Sequence, residues 1–457
     1  MRRFAYLAML TLWLCTAIPA HATGLDFTLH KLGSGTGPTV LVVGGIQGDE
    51  PGGFSAASLL ATHYTVTSGK VWVVPNLNFP SIILRSRGPK GDMNRKFASL
   101  DPADPEYTTV KRIQDIILNP DVDLILNLHD GSGFYRPKTE SPQRNPNRWG
   151  QSVIIDQETL EGASRFSQLE VMAAKAVRET NDALVKPDHS YHLKNTHTAR
   201  GDREMEKTLT WFAYKHKKPA FGIEASKDFT TEFRAYYHLR VVESFLRQAG
   251  VKFKRDFQLT PPGVLAALQS NVTVAFADNR VVLPLDDARP NIGALPLPRD
   301  AMRSVSASKP ILAVVPDKGC LNVHYGNRTV TRISPDWRDA DNSLSGITLQ
   351  VDGKPRKVRF GEVVQVRDSF EVVPMSGYRV NAIGANVGGN DESGKRISSR
   401  DFQARYSLDK AGTLYRVETY RDQKFAGMVL VRFGNAKVKP SRDKLPAVAG
   451  KESDLGF

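Results

Sequence analysis

From Thr39 to about Gln258, short continuous apolar runs alternate with stretches in which apolar residues recur every three or four positions. The runs Val40-Leu41-Val42-Val43, Val71-Trp72-Val73-Val74, Leu124-Ile125-Leu126 and Ala220-Phe221-Gly222-Ile223 predict strands buried on both faces, because no polar residue interrupts them. Between them, Val110, Ile113 and Ile117 share one face of a helix ended by Pro120; Phe166, Leu169 and Ala173 predict a second helix, and Phe233 to Leu246 a third. This order implies an α/β domain whose mixed sheet is flanked by helices.

Near Leu259-Thr260-Pro261-Pro262-Gly263 the helical periodicity stops, and a domain boundary is expected there. Val272, Val274 and Phe276 then alternate ahead of a turn at Asp278-Asn279, and Asp317-Lys318-Gly319 and Asp352-Gly353 are further hairpin candidates. The remainder reads as all-β and is long for one sandwich. The polar stretch Asp336 to Asn342 divides it into a small β domain (262–338) and an immunoglobulin-like β-sandwich (342–438), followed by a polar tail (439–457). The α/β domain takes 23–258.

The start of the chain changes the picture. Arg2 and Arg3, the apolar run Phe4 to Ile18 and the small-x-small triplet Ala20-His21-Ala22 form an export signal peptide over 1–22. No later stretch approaches about 20 apolar residues, so no integral membrane segment is expected after its removal. Export removes Cys15 and leaves Cys320 as the sole thiol, which excludes an internal disulfide and fits a bacterial periplasm. The formal charge of +14 falls by the two arginines but stays basic. It is spread along the chain, with only short runs such as His216-Lys217-Lys218 and Lys354 to Lys357, so it implies compatibility with anionic cell-wall material; export argues against nucleic acid.

Candidate chemistry gathers at the carboxyl ends of the predicted strands, where open α/β sheets place their ligand crevice. The first runs into Gly44-Gly45-Ile46-Gln47-Gly48-Asp49-Glu50-Pro51-Gly52-Gly53, the third ends Asn127-Leu128-His129-Asp130-Gly131, and the last ends Ile223-Glu224-Ala225. A buried strand end has little reason to carry His or Glu unless each is paired or ligates something. Zinc answers that need: Glu50 and His129 are ordinary ligands, the amide oxygen of Gln47 is a third, and Glu224 is free to act on a bound water. The alternative is that the turn is merely tight, with Gln47 and Glu50 capping the helix and His129 satisfied by a carbonyl. In a second group, Arg87 followed by Gly91-Asp92-Met93-Asn94-Arg95-Lys96-Phe97, the Asn94-Arg95 pair offers an amide and a fork suited to a terminal carboxylate and a separate arginine can stabilise charge developing on a scissile carbonyl; the alternative is a basic surface loop.

Gln47-x-x-Glu50, Arg87, Asn94-Arg95, His129 and Glu224, in that order, resemble the zinc carboxypeptidases of the carboxypeptidase A type. The nearest resemblance is to the murein DL-carboxypeptidases that set cell shape in helical bacteria, which also have glutamine in place of the first histidine, an export signal and two β domains. It implies a carboxypeptidase-like catalytic domain that trims the peptidoglycan stem tripeptide to a dipeptide with release of meso-diaminopimelate. It further implies that Gln47, Glu50 and His129 hold Zn2+, Glu224 is general base and then acid, Arg87 stabilises the oxyanion, and Asn94 and Arg95 bind the terminal carboxylate. Asn147 to Gln151 and Met205 to Thr210 resemble the family's pocket-lining segments, adding Trp149 and Thr210 as substrate-binding candidates; Trp149 is otherwise core packing. His189, His192 and His197 read as loop residues. Two rival functions are an N-acyl amino-acid deacylase of the aspartoacylase-like branch and a non-catalytic cell-wall-binding protein whose metal site has decayed at Gln47. The sequence leaves the role and protein partners of the β domains open.

Overall fold

The computed structural model describes residues 25–163 and 165–434; the expected signal peptide (1–22) and polar tail (439–457) lie outside the described residues. All four apolar runs form strands of one seven-stranded sheet. Thr39–Val43 runs parallel to Lys70–Val74 on one side and to Val122–Gly131 on the other, and Ala220–Ser226 runs parallel to Val122–Gly131. Ser152–Ile155 adds antiparallel beyond Ala220–Ser226, and His30–Leu32 pairs antiparallel at the opposite edge, so the sheet is mixed. Val40 and Val42 pack in the core covered by helices Pro51–His63, Leu169–Asn181 and Thr231–Gln248. Leu41 and Val43 pack in the core covered by Tyr107–Leu118 and Leu209–Lys215. Burial on both faces is why these runs carry no polar alternation.

Two expected boundaries move. The second helix begins at Leu169, and Phe166 precedes it with φ 57°, packing on the same core from an irregular segment. A helix, Pro261–Gln269, follows the point where periodicity was expected to stop; the Thr260 hydroxyl accepts from Gly263 N at its start. Val264, Ala267 and Leu268 bury in the α/β core, so the region expected to open the small β domain at 262 completes the preceding domain. Paired prolines look like a breaker in sequence, yet proline at the first helical position costs nothing, because its missing N–H would have no partner there.

Beyond it the chain is β. The turns at Asp278-Asn279, Asp317-Lys318-Gly319 and Asp352-Gly353 each join antiparallel strands. The strand Arg328–Arg338 runs into the polar stretch expected to separate two β domains. The last hairpin, Leu414–Arg421 with Lys424–Phe433, is buried on both faces. Leu414, Tyr420, Met428 and Leu430 enter the core containing Val274, Leu297 and Leu321, while Tyr415, Val417, Val429 and Val431 enter the core between the two four-stranded sheets of the C-terminal region. The division near Asp336 to Asn342 therefore separates the chain but not the packing. Among the described residues no helix is long and apolar enough to cross a membrane.

Candidate active site

The glycine-rich turn after Thr39–Val43 is shaped by close approach. Gly45 takes φ 72°, a Cβ on Gly48 would stand 1.9 Å from the Ser81 carbonyl oxygen, and one on Gly52 would stand 2.4 Å from Asp130 Oδ1. Side chains at these positions would push the turn off the neighbouring elements. Seated there, it brings Gln47 and Glu50 to His129: His129 Nδ1 lies 2.9 Å from Gln47 Oε1 and 3.0 Å from Glu50 Oε2. Glu50 occupies the helix N-cap without a side-chain capping bond, so the capping alternative fails for it. Its Oε2 also accepts from Asp130 N at 3.1 Å, and its Oε1 from Arg87 Nη1 at 3.1 Å.

Glu224 is the register partner of His129 across the parallel pair, which puts both side chains on one face of the sheet. Its Oε2 is buried without a hydrogen-bond partner. Burial pushes its pKa up to about 8, with Glu50 and Asp130 adding to the rise and His129 opposing it. Burial disfavours the charged form of His129 too, yet Glu50 and the other nearby carboxylates leave its pKa raised.

Asp92, in the segment Gly91 to Phe97, orients the side chain of Gln47. Gln47 Nε2 donates to Asp92 Oδ1 at 2.7 Å, and this turns the amide oxygen towards His129. Burial works against the Asp92 carboxylate, but Arg87, Gln47 and the Asn94 amide together hold its pKa below the usual range. Arg87 bonds Asp92 at 2.9 Å while 45% of its side chain stays exposed. Asn94 accepts from Leu209 N through Oδ1, which leaves Nδ2 towards the cavity, 3.5 Å from His129 Nε2. Arg95 donates to the Asn94 carbonyl and lies 3.4 Å from the exposed Glu204.

All nine residues named from the sequence (Gln47, Glu50, Arg87, Asn94, Arg95, His129, Trp149, Thr210 and Glu224) line one cavity of about 250 Å³. Trp149 is held from behind by Lys194, whose ammonium sits 3.9 Å from the ring and donates to the Pro146 and Arg148 carbonyls. Lys227 also lines the cavity and was missed; it donates to Asp49 at 2.8 Å and stands 3.8 Å from Glu50. Asn127 was missed as well, although it lies two residues before His129 and therefore on the same strand face. The three histidines read as loop residues do not line this cavity. His189 is buried, with Nδ1 2.7 Å from Tyr237 Oη, and His192 starts a strand.

Among the described residues no three His, Cys, Asp or Glu side chains gather as a metal site; two do here, and the amide of Gln47 makes the third donor. The set fits zinc. Ligand atoms around a four-coordinate zinc stand about 3.3 Å apart, close to the 2.9 and 3.0 Å seen here. Asn127 Nδ2 faces His129 Nε2 at 2.7 Å while Asn127 Oδ1 is buried without a partner. A half-turn of that amide offers Oδ1 to an Nε2–H, the outer bond that a ligating histidine needs.

Residues 7–269 match the family described as the catalytic part of carboxypeptidases controlling helical cell shape, and residues 340–434 match the C-terminal domain of metallo-carboxypeptidases. Among solved structures, the apo cell shape determinant protein Csd4 from Helicobacter pylori is 40% identical with a TM-score of 0.83, over 90% of this chain and 100% of that one. Its product-bound form is 41% identical with a TM-score of 0.83, over the same shares of 90% and 100%. The mDAP-bound form of Csd4, described as a D,L-carboxypeptidase, is 42% identical with a TM-score of 0.81, over 87% of this chain and 97% of that one. A curated relative, the N-alpha-acetyl-L-2,4-diaminobutyric acid deacetylase of Halomonas elongata, is 35% identical over 105 residues. That match takes 21% of this chain and spans 30% of the deacetylase.

Proposed function

The chain belongs to the family of metallo-carboxypeptidases controlling helical cell shape, and from that membership we propose that it is a zinc-dependent DL-carboxypeptidase of the periplasm. Its substrate is the peptidoglycan stem tripeptide, which it trims to a dipeptide with release of meso-diaminopimelate. The observation that carries this reading is Glu224: a half-buried side chain whose Oε2 is buried and unpartnered, in register with His129 on the wall of a cavity that also holds an Asn-Arg pair.

Gln47, Glu50 and His129 would hold the zinc, which when bound lowers the pKa of its water towards about 7 and polarises the scissile carbonyl. Glu224 takes the proton of the attacking water. Burial raises its pKa, which favours its holding that proton and returning it to the leaving amine. Arg87, half-exposed and anchored by Glu50 and Asp92, reaches the carbonyl oxygen as negative charge develops there. Asn94 Nδ2 and the Arg95 guanidinium take the free carboxylate of the terminal residue and so restrict cleavage to the chain end. The Arg95 contact to Glu204 is 3.4 Å long and solvent-exposed, so a substrate carboxylate displaces it at little cost. Trp149 and Thr210 form substrate-facing walls. The export signal expected over 1–22 and the wall substrate together support the periplasmic assignment. We assign the C-terminal pair of four-stranded sheets to the immunoglobulin-like class on its size and strand count.

Glu224→Gln tests the role directly. Turnover is expected to fall at least ~1000-fold while zinc remains bound; near wild-type turnover removes Glu224 from the mechanism. The partial match to a deacetylase favours one second reading, hydrolysis of an N-acyl amino acid on the same turn. Acylated amino acids offered beside murein tripeptide separate the two.

A further inference from the structure

A second cavity, of about 480 Å³, lies where the α/β domain meets the first β unit. Thr28, His30 and Phe79 line it from one side, and Met302, Val305 and Lys309 from the other. It shares no lining residue with the catalytic cavity, and its size falls in the range of small-molecule sites, roughly 300–1,000 Å³.

Lys309 is 4% exposed, and among the described residues the one hydrogen bond to its ammonium is 2.7 Å to His63 Nε2. An ammonium only donates, so Nε2 accepts and the ring proton sits on Nδ1, given to Asp256 Oδ1 at 2.8 Å. The compensating carboxylate is therefore one imidazole away, on an Asp256 side chain 67% exposed, where solvent screens it. No residue lining the cavity is acidic. Burial holds the Lys309 pKa below its ordinary value, with Asp256 opposing the shift. A buried ammonium that leaves two of its three N–H groups without an acceptor among the described residues, beside a chamber walled largely by Met302, Val305, Leu312 and Val314, lacks an anion with an apolar body.

We propose that this interdomain cavity binds a small organic acid, with the carboxylate on Lys309 and the apolar body against Met302, Val305 and Leu312. The ligand touches residues of both domains.

Isothermal titration calorimetry of the full chain with hexanoate, hexanol and inorganic phosphate tests the site. Hexanoate is expected to bind the wild type, and hexanol to bind at least ~10-fold more weakly because it lacks the charge. Lys309→Met is expected to weaken hexanoate by a similar factor while tripeptide turnover stays unchanged. Ala307→Trp, which keeps Lys309 but fills the chamber, is expected to abolish binding, and so covers the case in which the methionine variant fails to fold. No hexanoate binding to the wild type, equal affinity in Lys309→Met, or phosphate binding tighter than hexanoate would each overturn the proposal.

Discussion

Glutamine is a weaker zinc donor than imidazole, and in the proposed ligation by Gln47 the local answer to that weakness is Asp92. By accepting from Gln47 Nε2 it fixes the amide rotamer and draws electron density towards the carbonyl oxygen, while Arg87 and the Asn94 amide keep Asp92 ionised. Asp92→Ala is expected to lower zinc affinity about 10- to 100-fold, read by competition against a chelator of known affinity; unchanged affinity would show that Gln47 needs no such partner. Gln47, Glu50, His129 and Glu224 were legible in the sequence because polar residues at the ends of buried strands demand a reason. Asp92 was not: its bond to Gln47 joins residues 45 positions apart, and that contact exists only once the loop folds back over the turn.

The strands were legible at the scale of elements because burial on both faces leaves a continuous apolar run, and the short hairpins because Asp, Asn and Gly accept left-handed turns. The helix Pro261–Gln269 was hidden by its prolines, and Phe166 misled by falling in helical register with Leu169 and Ala173 while sitting outside the helix at a positive φ. The element on which the site depends most is the glycine-rich turn. Gly48→Ala puts a Cβ 1.9 Å from the Ser81 carbonyl, a backbone atom that yields only if the helix Phe79–Leu84 moves. The expected result is a stability loss of about 1–3 kcal/mol, seen as a lower denaturant midpoint, with weaker zinc binding besides. A wild-type midpoint and affinity would mean the turn tolerates displacement.

Across the whole molecule, the packing joins units that the apolar patterning divides. The hairpin Leu414–Phe433 supplies both β cores, and Pro261–Gln269 closes the catalytic core, so few joints are left to hinge. Acid stability should then report on buried groups. Burial lowers the His189 pKa to about 4, with Lys186 and Arg144 adding to the shift and Asp188 opposing it. The unfolded chain takes up that proton near the ordinary value of about 6.5, so this group's contribution is lost as pH falls from about 6.5 to 4. Asp156, which burial pushes up to about 6, works in the opposite sense: it gains stability as pH falls from about 6 towards its unfolded value. Because the two oppose, the test is a difference. Relative to wild type, His189→Gln is expected to gain roughly 3 kcal/mol between pH 7 and 4, measured by denaturant unfolding; parallel pH profiles would contradict it.

The proposed activity of this cavity is removal of a terminal diaminopimelate with the help of a metal held partly by Gln47. Its most direct test is release of free diaminopimelate from purified murein tripeptide by the mature protein, with zinc or with a chelator added. Release with zinc and none with chelator is the predicted result. No release in either condition, from protein shown to be folded, would contradict it.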